Sequence, residues 1–199
     1  MNIEQMYNHL PLSLRQHIDR VVEIAIKLST IHGLDIDKVT FAARYHDLAR
    51  ITPEHVLLDE CKKFSIPIDE FHKQLPMLLH GTVAAQWIRT SGHALAVTEV
   101  IDAIRDHSVA NSTMSQIAKV IFLADKLDPH KSQRYPFIHK VNRASEQDLD
   151  KALFVFIHHE IAMRLELNQL IAPESIATRN HLLDRYSTSI ESRDRDTPI

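Results

Sequence analysis

The sequence predicts an all-α protein, and three observations lead to that prediction. Only three glycines occur in 199 residues, and no Asn-Gly or Asp-Gly pair is present to form a tight hairpin. Apolar residues recur at helical spacing in several segments. Aspartate, serine and proline stand where these segments begin. We therefore expect one helical domain over residues 1–190, followed by a disordered polar tail at 191–199.

Each predicted helix has its own start or stop signal. Gly33 ends the first helix, and Asp35 or Asp37 caps the second. Pro53 suits the first turn of the third helix, and Ser115 precedes a strongly apolar one. The predicted helices cover residues 12–31, 35–49, 53–64, 76–88, 98–107, 115–127, 145–170 and 173–190.

The connections between these helices follow from the same signals. Residues 67–73 are expected to form a loop with a short turn of helix, and residues 129–144 an irregular connection. Ser145 and Asp148 resemble a capping box that opens the long seventh helix.

Composition excludes several classes of protein. The glycines are too far apart for a dinucleotide or phosphate-binding loop, and the single cysteine, Cys61, excludes a disulfide framework or a CxxC site. No apolar run approaches the ~20 residues that cross a bilayer, and the first residues lack a signal peptide's basic start and apolar core. The net charge of −3 gives no basic footprint for nucleic acid. We expect a cytoplasmic protein that binds neither membrane nor nucleic acid.

The unusual feature is a set of histidines and aspartates on the inward stripes of different helices. A carboxylate within the most apolar stretch of a helix is costly unless it is paired or binds a metal. Imidazole and carboxylate without thiolate suit iron, manganese or zinc. The residues in this set are His17, His46, Asp47, His80, His107 and Asp125.

Each of these residues alone has an ordinary explanation. A single histidine on an apolar stripe is more often a core residue with a satisfied hydrogen bond, and Asp125 alone could be a buried ion-pair partner. Their joint occurrence on inward faces favours a metal site in a bundle whose helices converge.

The order and spacing of this set resemble the HD-domain metal-dependent phosphohydrolases. Within that group, the chain is similar to the bacterial HD-type symmetrical bis(5′-nucleosyl)-tetraphosphatases over roughly residues 10 to 185. The segments that carry the resemblance are Ala-Ala-Arg-Tyr-His-Asp-Leu-Ala-Arg (42–50), Leu-Leu-His-Gly (78–81), Ala-Ile-Arg-Asp-His-Ser (103–108) and Lys-Val-Ile-Phe-Leu-Ala-Asp-Lys-Leu-Asp-Pro (119–129).

The resemblance implies a single-domain HD helical bundle with two divalent or mixed-valence metal ions, typically iron, with manganese or another divalent metal as an alternative. One ion would be held by His17, His46, Asp47 and Asp125. The other would be held by His80 and His107, with Asp47 bridging the two ions. Six protein ligands leave coordination positions open for a hydroxide and for phosphate oxygens.

The same resemblance implies a reaction and a set of substrate contacts. Hydroxide supplied by the ions would split diadenosine tetraphosphate into two ADP. Asp47 and Arg50 are expected to act in catalysis, and Arg50 would bind phosphate from one turn beyond Asp47. Further substrate contacts are expected from Ser108, Asp128, Lys131 and Arg134.

Two segments depart from the family pattern. Ser108-Val109-Ala110 follows His107, where the family has a turn that contains glycine. Asp128-Pro129-His130-Lys131 replaces the family's Glu-Pro-Asn-Arg, so Lys131 or Arg134 must take the place of its arginine. Both departures fall where substrate is expected, while all six metal ligands are kept.

The sequence leaves more than one function open. The first hypothesis is symmetrical hydrolysis of dinucleoside tetraphosphates. The alternatives are an HD phosphohydrolase that acts on another nucleotide or phosphate ester, a metal-bearing nucleotide-binding module with little turnover, and a helical interaction protein with core histidines. A homodimer is compatible with each of them.

Overall fold

The computed structural model describes residues 2–186, and all regular secondary structure in this range is helical. The all-α prediction is confirmed. The predicted tail at 191–199 lies outside the described residues. Two 3₁₀ turns, Pro76–Leu79 and Pro129–Lys131, accompany the α-helices. These helices are α1 (Ile3–Asn8), α2 (Leu12–His32), α3 (Ile36–Tyr45), α4 (Glu54–Lys63), α5 (Glu70–Gln74), α6 (His80–Arg89), α7 (Thr98–Asp106), α8 (Gln116–Lys126), α9 (Ile138–Ser145), α10 (Leu149–Glu166) and α11 (Pro173–Tyr186).

Helix α8 lies at the centre of the bundle. It packs against α2, α3, α7 and α10, so apolar neighbours surround it on several sides. Its residues from Val120 to Lys126 are all buried, which explains why its sequence is a continuous apolar run rather than a stripe. Ser115 caps its first turn by accepting a hydrogen bond from the backbone N–H of Ala118, at 3.1 Å. A carboxylate at the end of this helix, Asp125, is therefore deep in the protein.

The long helix α2 packs against this central helix and buries one side only. Ile18, Val21, Ala25 and Leu28 are buried on that side, as the periodicity predicts. Gly33 ends the helix in the left-handed conformation, with φ at 65°. The position favours glycine because a Cβ atom is strained there.

Several helix boundaries differ from the sequence-based prediction. Helix α3 ends at Tyr45 rather than at residue 49, and residues 46–50 form successive turns. The segment 129–144 contains a 3₁₀ turn and most of α9, so the expected irregular connection is wrong. The capping box is also wrong, because Ser145 belongs to α9 while Asp148 alone caps α10.

Candidate metal centre

The six predicted metal ligands come together at one place in the bundle. His17 lies on α2 and Asp125 on α8, whereas His46 and Asp47 directly follow α3. His80 is the first residue of α6, and His107 directly follows α7. All are buried except His17, which is half-buried. Five separate helices therefore contribute to the cluster, as the inward stripes predict.

Asp47 lies between two pairs of histidines. Its Oδ1 atom is 3.0 Å from Nε2 of His80 and 3.3 Å from Nε2 of His107. Its Oδ2 atom is 3.5 Å from Nε2 of His46 and 3.7 Å from Nε2 of His17. One carboxylate thus presents each of its oxygens to a different imidazole pair, which is the arrangement of a bridging ligand.

Asp125 belongs to the pair formed by His17 and His46. Its Oδ1 atom is 3.0 Å from Nε2 of His17 and 3.7 Å from Nε2 of His46. The structure therefore divides the six residues into two overlapping groups that share Asp47. His17, His46, Asp47 and Asp125 form one group, and Asp47, His80 and His107 form the other.

Hydrogen bonds fix three of the imidazole rings in one orientation. The Nδ1 atoms of His46, His80 and His107 lie 2.7, 2.5 and 2.7 Å from the backbone carbonyl oxygens of Ala43, Met77 and Ile104. A carbonyl oxygen can only accept, so each Nδ1 atom must carry a proton and donate it. In a neutral ring, Nε2 then carries the lone pair, and all three Nε2 atoms face Asp47.

Two of these Nε2 atoms face each other. Those of His80 and His107 are 3.0 Å apart, and the Ser108 hydroxyl is 3.2 Å from both. The single hydroxyl proton of Ser108 can satisfy only one of them. Nε2 of His46 is buried and has no hydrogen-bond partner within the described residues. A bound metal cation would accept the lone pairs of these Nε2 atoms, which accounts for both the facing pair and the unpartnered atom.

The charges of the cluster favour a metal ion. Burial lowers the pKa of His107 to about 4, so this ring is neutral at pH 7. Burial alone would raise the pKa of Asp47, but the neighbouring His46, His107 and His80 hold it well below its usual range. Burial likewise lowers the pKa of His46, but Asp47 and Asp125 outweigh burial and raise it. The ionised carboxylate of Asp47 beside the lone pair of the neutral His107 ring supplies donor atoms that a divalent ion accepts.

A buried lysine supports this cluster and escaped the sequence analysis. Nζ of Lys126 donates to Oδ2 of Asp125 at 2.8 Å and to the backbone carbonyl of His107 at 3.1 Å. Together with His17, this ammonium holds the pKa of Asp125 well below its usual range although burial opposes it. The signal in the sequence is a lysine directly after the aspartate of an apolar run, where a solvated side chain has no room.

The packing role of Gly81 was not foreseen by the sequence analysis. A Cβ atom on this residue would lie 3.1 Å from the imidazole of His107 and 2.8 Å from the backbone oxygen of Arg105. Helix α6 therefore approaches the end of α7 more closely than any other residue would permit. This approach sets the distance between His80 and His107.

The predicted substrate contacts lie in different surroundings. Arg50 is exposed, and Ser108 touches the His80–His107 pair. Lys131 contacts Oδ1 of Asp125 through its ammonium group. Arg134 is exposed, and its guanidinium carbon lies 5.3 Å from the ring centroid of Tyr135.

Asp128, an expected substrate contact, is buried within the protein. It is 2% exposed and faces the far side of the His17 ring, where Arg20 also meets it. The expected substrate contact is therefore replaced by contacts within the protein. The apolar pattern of α2 does not predict that Arg20 and His17 both contact Asp128.

The helical bundle and its paired histidine–aspartate groups define an HD domain. The chain belongs to the HD domain family, whose model matches residues 14–130. Two relatives are named symmetrical bis(5′-nucleosyl)-tetraphosphatase. The one from Halalkalibacterium halodurans is 32% identical over 176 residues, which cover 88% of this chain and 91% of the relative. The one from Bacillus subtilis is 28% identical over 167 residues, which cover 84% and 88%.

A solved structure confirms the fold. It is a Clostridium acetobutylicum protein described as a predicted HD superfamily hydrolase involved in NAD metabolism, and it superposes with a TM-score of 0.83 at 22% identity. The superposition covers 93% of this chain and 98% of that one. Within the described residues, no helix combines the length and apolar character needed to span a membrane.

Proposed function

We propose that this protein is a metal-dependent phosphohydrolase that splits dinucleoside tetraphosphates into two nucleoside diphosphates. With diadenosine tetraphosphate, the oxygen of water forms a bond to an inner phosphorus and the bridging P–O bond breaks. With all phosphate groups ionised, the products are two ADP and two protons. Membership of the HD family and the names of the two relatives, which match over most of both chains, support this substrate.

The observation that carries the proposal is the position of Asp47 between two histidine pairs. We propose that His17, His46, Asp47 and Asp125 hold one ion, and that Asp47, His80 and His107 hold a second. When bound, such ions lower the pKa of coordinated water and neutralise the charge of phosphate oxygens. Iron is the metal we expect from the family resemblance, and the donor set also suits manganese or another divalent ion.

We propose that Lys131, rather than Arg134, binds the phosphate of the substrate. Its ammonium group already reaches Asp125 at the edge of the metal cluster. Arg134 is exposed, and its guanidinium carbon lies 5.3 Å from the ring centroid of Tyr135. A phosphate beside the cluster would therefore meet Lys131 first, and we expect Arg134 to contribute less.

We propose that Arg50 and Ser108 both contact the substrate. The backbone N–H of Arg50 donates to the Asp47 carbonyl at 3.0 Å, which fixes the start of the arginine side chain one turn from the cluster. Its exposed guanidinium is available for bidentate binding of phosphate. The Ser108 hydroxyl lies at the second histidine pair, where it can donate to a phosphate oxygen.

The test uses purified protein loaded anaerobically with ferrous iron, or with manganese, and diadenosine tetraphosphate. Chromatography should show two ADP for each substrate consumed. Asp47→Asn should abolish turnover, whereas Asp59→Asn, a similar change on exposed surface, should leave it unchanged. AMP with ATP as products, or the absence of turnover in metal-loaded protein, would overturn the proposal.

The number and identity of the ions require their own measurement. Elemental analysis of protein purified under reducing conditions should give two equivalents per chain, mainly iron. His107→Ala should lose about one equivalent, while Asp47→Asn should lose most of both because both groups share it. A single equivalent in wild-type protein would contradict the two-ion proposal.

A specific observation favours a test of other substrates as well. Ser108-Val109-Ala110 replaces the family's glycine-containing turn beside the second histidine pair. A panel of nucleotides and phosphate esters ranked by kcat/KM decides between the dinucleotide and another substrate. A preference of more than tenfold for another ester, which is about 1.4 kcal/mol of transition-state discrimination, would reassign the substrate within the same enzyme class.

We also propose that the protein acts in the cytoplasm as a homodimer without nucleic acid. The only cysteine, Cys61, is a free buried thiol, which suits a reducing compartment. Leu165 and Leu167 are 62% and 57% exposed at the end of α10, where a second subunit could cover them. Light scattering tests the dimer, and a monomeric mass at micromolar concentration would contradict it.

A further inference from the structure

His17 differs from the other three histidines in how its ring is held. It lies inside α2, where the backbone carbonyls of the preceding turn already accept hydrogen bonds within the helix. Its Nδ1 atom therefore needs an acceptor from elsewhere. Oδ2 of Asp128, which is distant in sequence, lies 2.5 Å from this atom. The carboxylate takes the place that backbone carbonyls occupy at the other rings.

Asp128 is itself held by an arginine of the same helix. Nε of Arg20 donates to Oδ1 at 2.7 Å and Nη2 donates to Oδ2 at 2.9 Å, which is a bidentate pair. The backbone N–H of His130 adds a further bond to Oδ1, at 3.1 Å. Arg20 lies one turn after His17, so a single helix supplies both the ring and the group that orients its acceptor.

We propose that Asp128 and Arg20 are positioning residues that hold His17 with Nε2 directed at Asp47 and Asp125. Each Asp128 oxygen accepts two hydrogen bonds, so the four acceptor sites of the carboxylate are filled within the protein. With 2% exposure, it has neither a free acceptor nor a path to substrate. The role in turnover rests on the function proposed above, while the role in ion binding does not.

The physical consequence concerns the lone pair of His17. Hydrogen bonding of Nδ1–H to a carboxylate fixes the tautomer and makes Nε2 more basic, and loss of such a partner costs about ten- to a hundredfold in metal affinity. The Nε2 atom of His17 lies 3.0 Å from Oδ1 of Asp125, so any rotation of the ring takes the ligand atom away from the cluster. We therefore expect the loss to fall on the group that contains His17 and to spare the His80–His107 group.

The test measures binding of manganese alone by calorimetry and then steady-state kinetics with diadenosine tetraphosphate. Calorimetry of His17→Ala identifies the manganese-binding step that depends on His17. Asp128→Asn should weaken this same step by about ten- to a hundredfold. It should lower kcat while KM changes less than about twofold, because no substrate contact is lost. Asp19→Asn, an exposed neighbour on α2, is the matched control and should leave both measurements unchanged.

Arg20 provides a second variant in case Asp128→Asn fails to fold, which thermal unfolding would show. Arg20→Met should weaken the same manganese step, and Arg20→Lys should weaken it less, because lysine keeps the charge but not the fork. An increase in KM with unchanged manganese affinity would overturn the proposal in favour of a substrate contact, and unchanged affinity and kinetics in all variants would also overturn it. If the wild type binds manganese but does not hydrolyse the dinucleotide, the calorimetry still tests the positioning role.

Discussion

Gly81 lies directly beneath the imidazole of His107, and a Cβ atom at Gly81 would stand 3.1 Å from two atoms of that ring. The backbone oxygen of Arg105 would be closer still, at 2.8 Å. Because a backbone atom cannot move aside as a flexible side chain can, the packing of α6 on α7 depends on the missing side chain. The distance between the two helices is in turn what brings His80 and His107 together.

Gly81→Ala should therefore impair both folding and ion binding. We expect the free energy of unfolding to fall by about 1–3 kcal/mol, the usual cost of overpacking, and manganese binding at the His80–His107 group to weaken. Gly92→Ala is the control: Gly92 has φ of 74° with no atom near its Cβ position, so it should cost about 1–2 kcal/mol of backbone strain without affecting manganese. Urea unfolding and calorimetry check both; wild-type manganese binding in Gly81→Ala would refute the steric link.

Lys126→Met should be strongly destabilising in protein without metal. The change removes the ammonium that meets both Asp125 and the carbonyl of His107, and leaves a buried carboxylate with less compensation. Loss of one partner of a buried ion pair costs about 3–5 kcal/mol. Lys119→Met, on the same helix and paired with Asp150 at 2.5 Å, is the comparison and should cost less in urea unfolding, because Lys119 has no contact with the metal ligands. Equal losses would argue against a special role for Lys126.

The pair formed by Glu60 and Trp87 predicts a dependence of stability on pH. Oε2 of Glu60 accepts a hydrogen bond from Nε1 of Trp87 at 2.8 Å, and this bond, with Lys63, holds the pKa of Glu60 below its usual value. Since the folded-state pKa is the lower one, the stabilisation is present above the unfolded pKa of about 4.3 and is lost as pH falls through the folded value.

Trp87 is the only tryptophan in the chain, so its fluorescence reports this titration directly. In wild-type protein we expect an emission change at acid pH together with a loss of about 1 kcal/mol of stability. Glu60→Gln should remove the acid-dependent part of both, whereas Glu70→Gln, at a side chain 82% exposed, should not. The same acid profile in Glu60→Gln would assign the titration to another group.

Cys61 should react with thiol reagents only when the protein unfolds. Its side chain is fully buried, and burial raises the pKa of its thiol, so little thiolate is present at neutral pH. The rate of modification by a chromogenic disulfide should follow the population of unfolded protein across a urea titration. Rapid reaction in the absence of urea would show that this part of the core opens locally.

The inward stripes of the helices were sufficient to predict which six side chains meet, because helical periodicity fixes the face on which each residue lies. The apolar stripe of α2 predicted that His17 points into the core, and the continuous apolar run of α8 predicted that Asp125 is buried. Which oxygen of Asp47 faces which histidine could not be predicted, since it depends on the turn at residues 46–50 that ends α3 earlier than the apolar pattern suggests.

The residues that support the cluster were harder to find. Asp128 follows the last turn of α8 and was expected to contact substrate, yet its side chain is paired with Arg20, more than a hundred positions away. Helix α9 was not predicted because only Val141, Ala144 and Ser145 are buried on it, and these three residues are too few to give a clear apolar periodicity. Contacts between distant segments decide such cases, and a single sequence does not contain them.

Three of the imidazole rings are oriented by carbonyl groups that lie three residues earlier in their own segments. The side chains of Ala43, Met77 and Ile104 can change without removing these acceptors, because the acceptors belong to the main chain. The orientation of these three rings therefore does not depend on which side chains stand at the acceptor positions. Divergence can reshape the substrate-facing surface of such a protein while its capacity to capture ions persists.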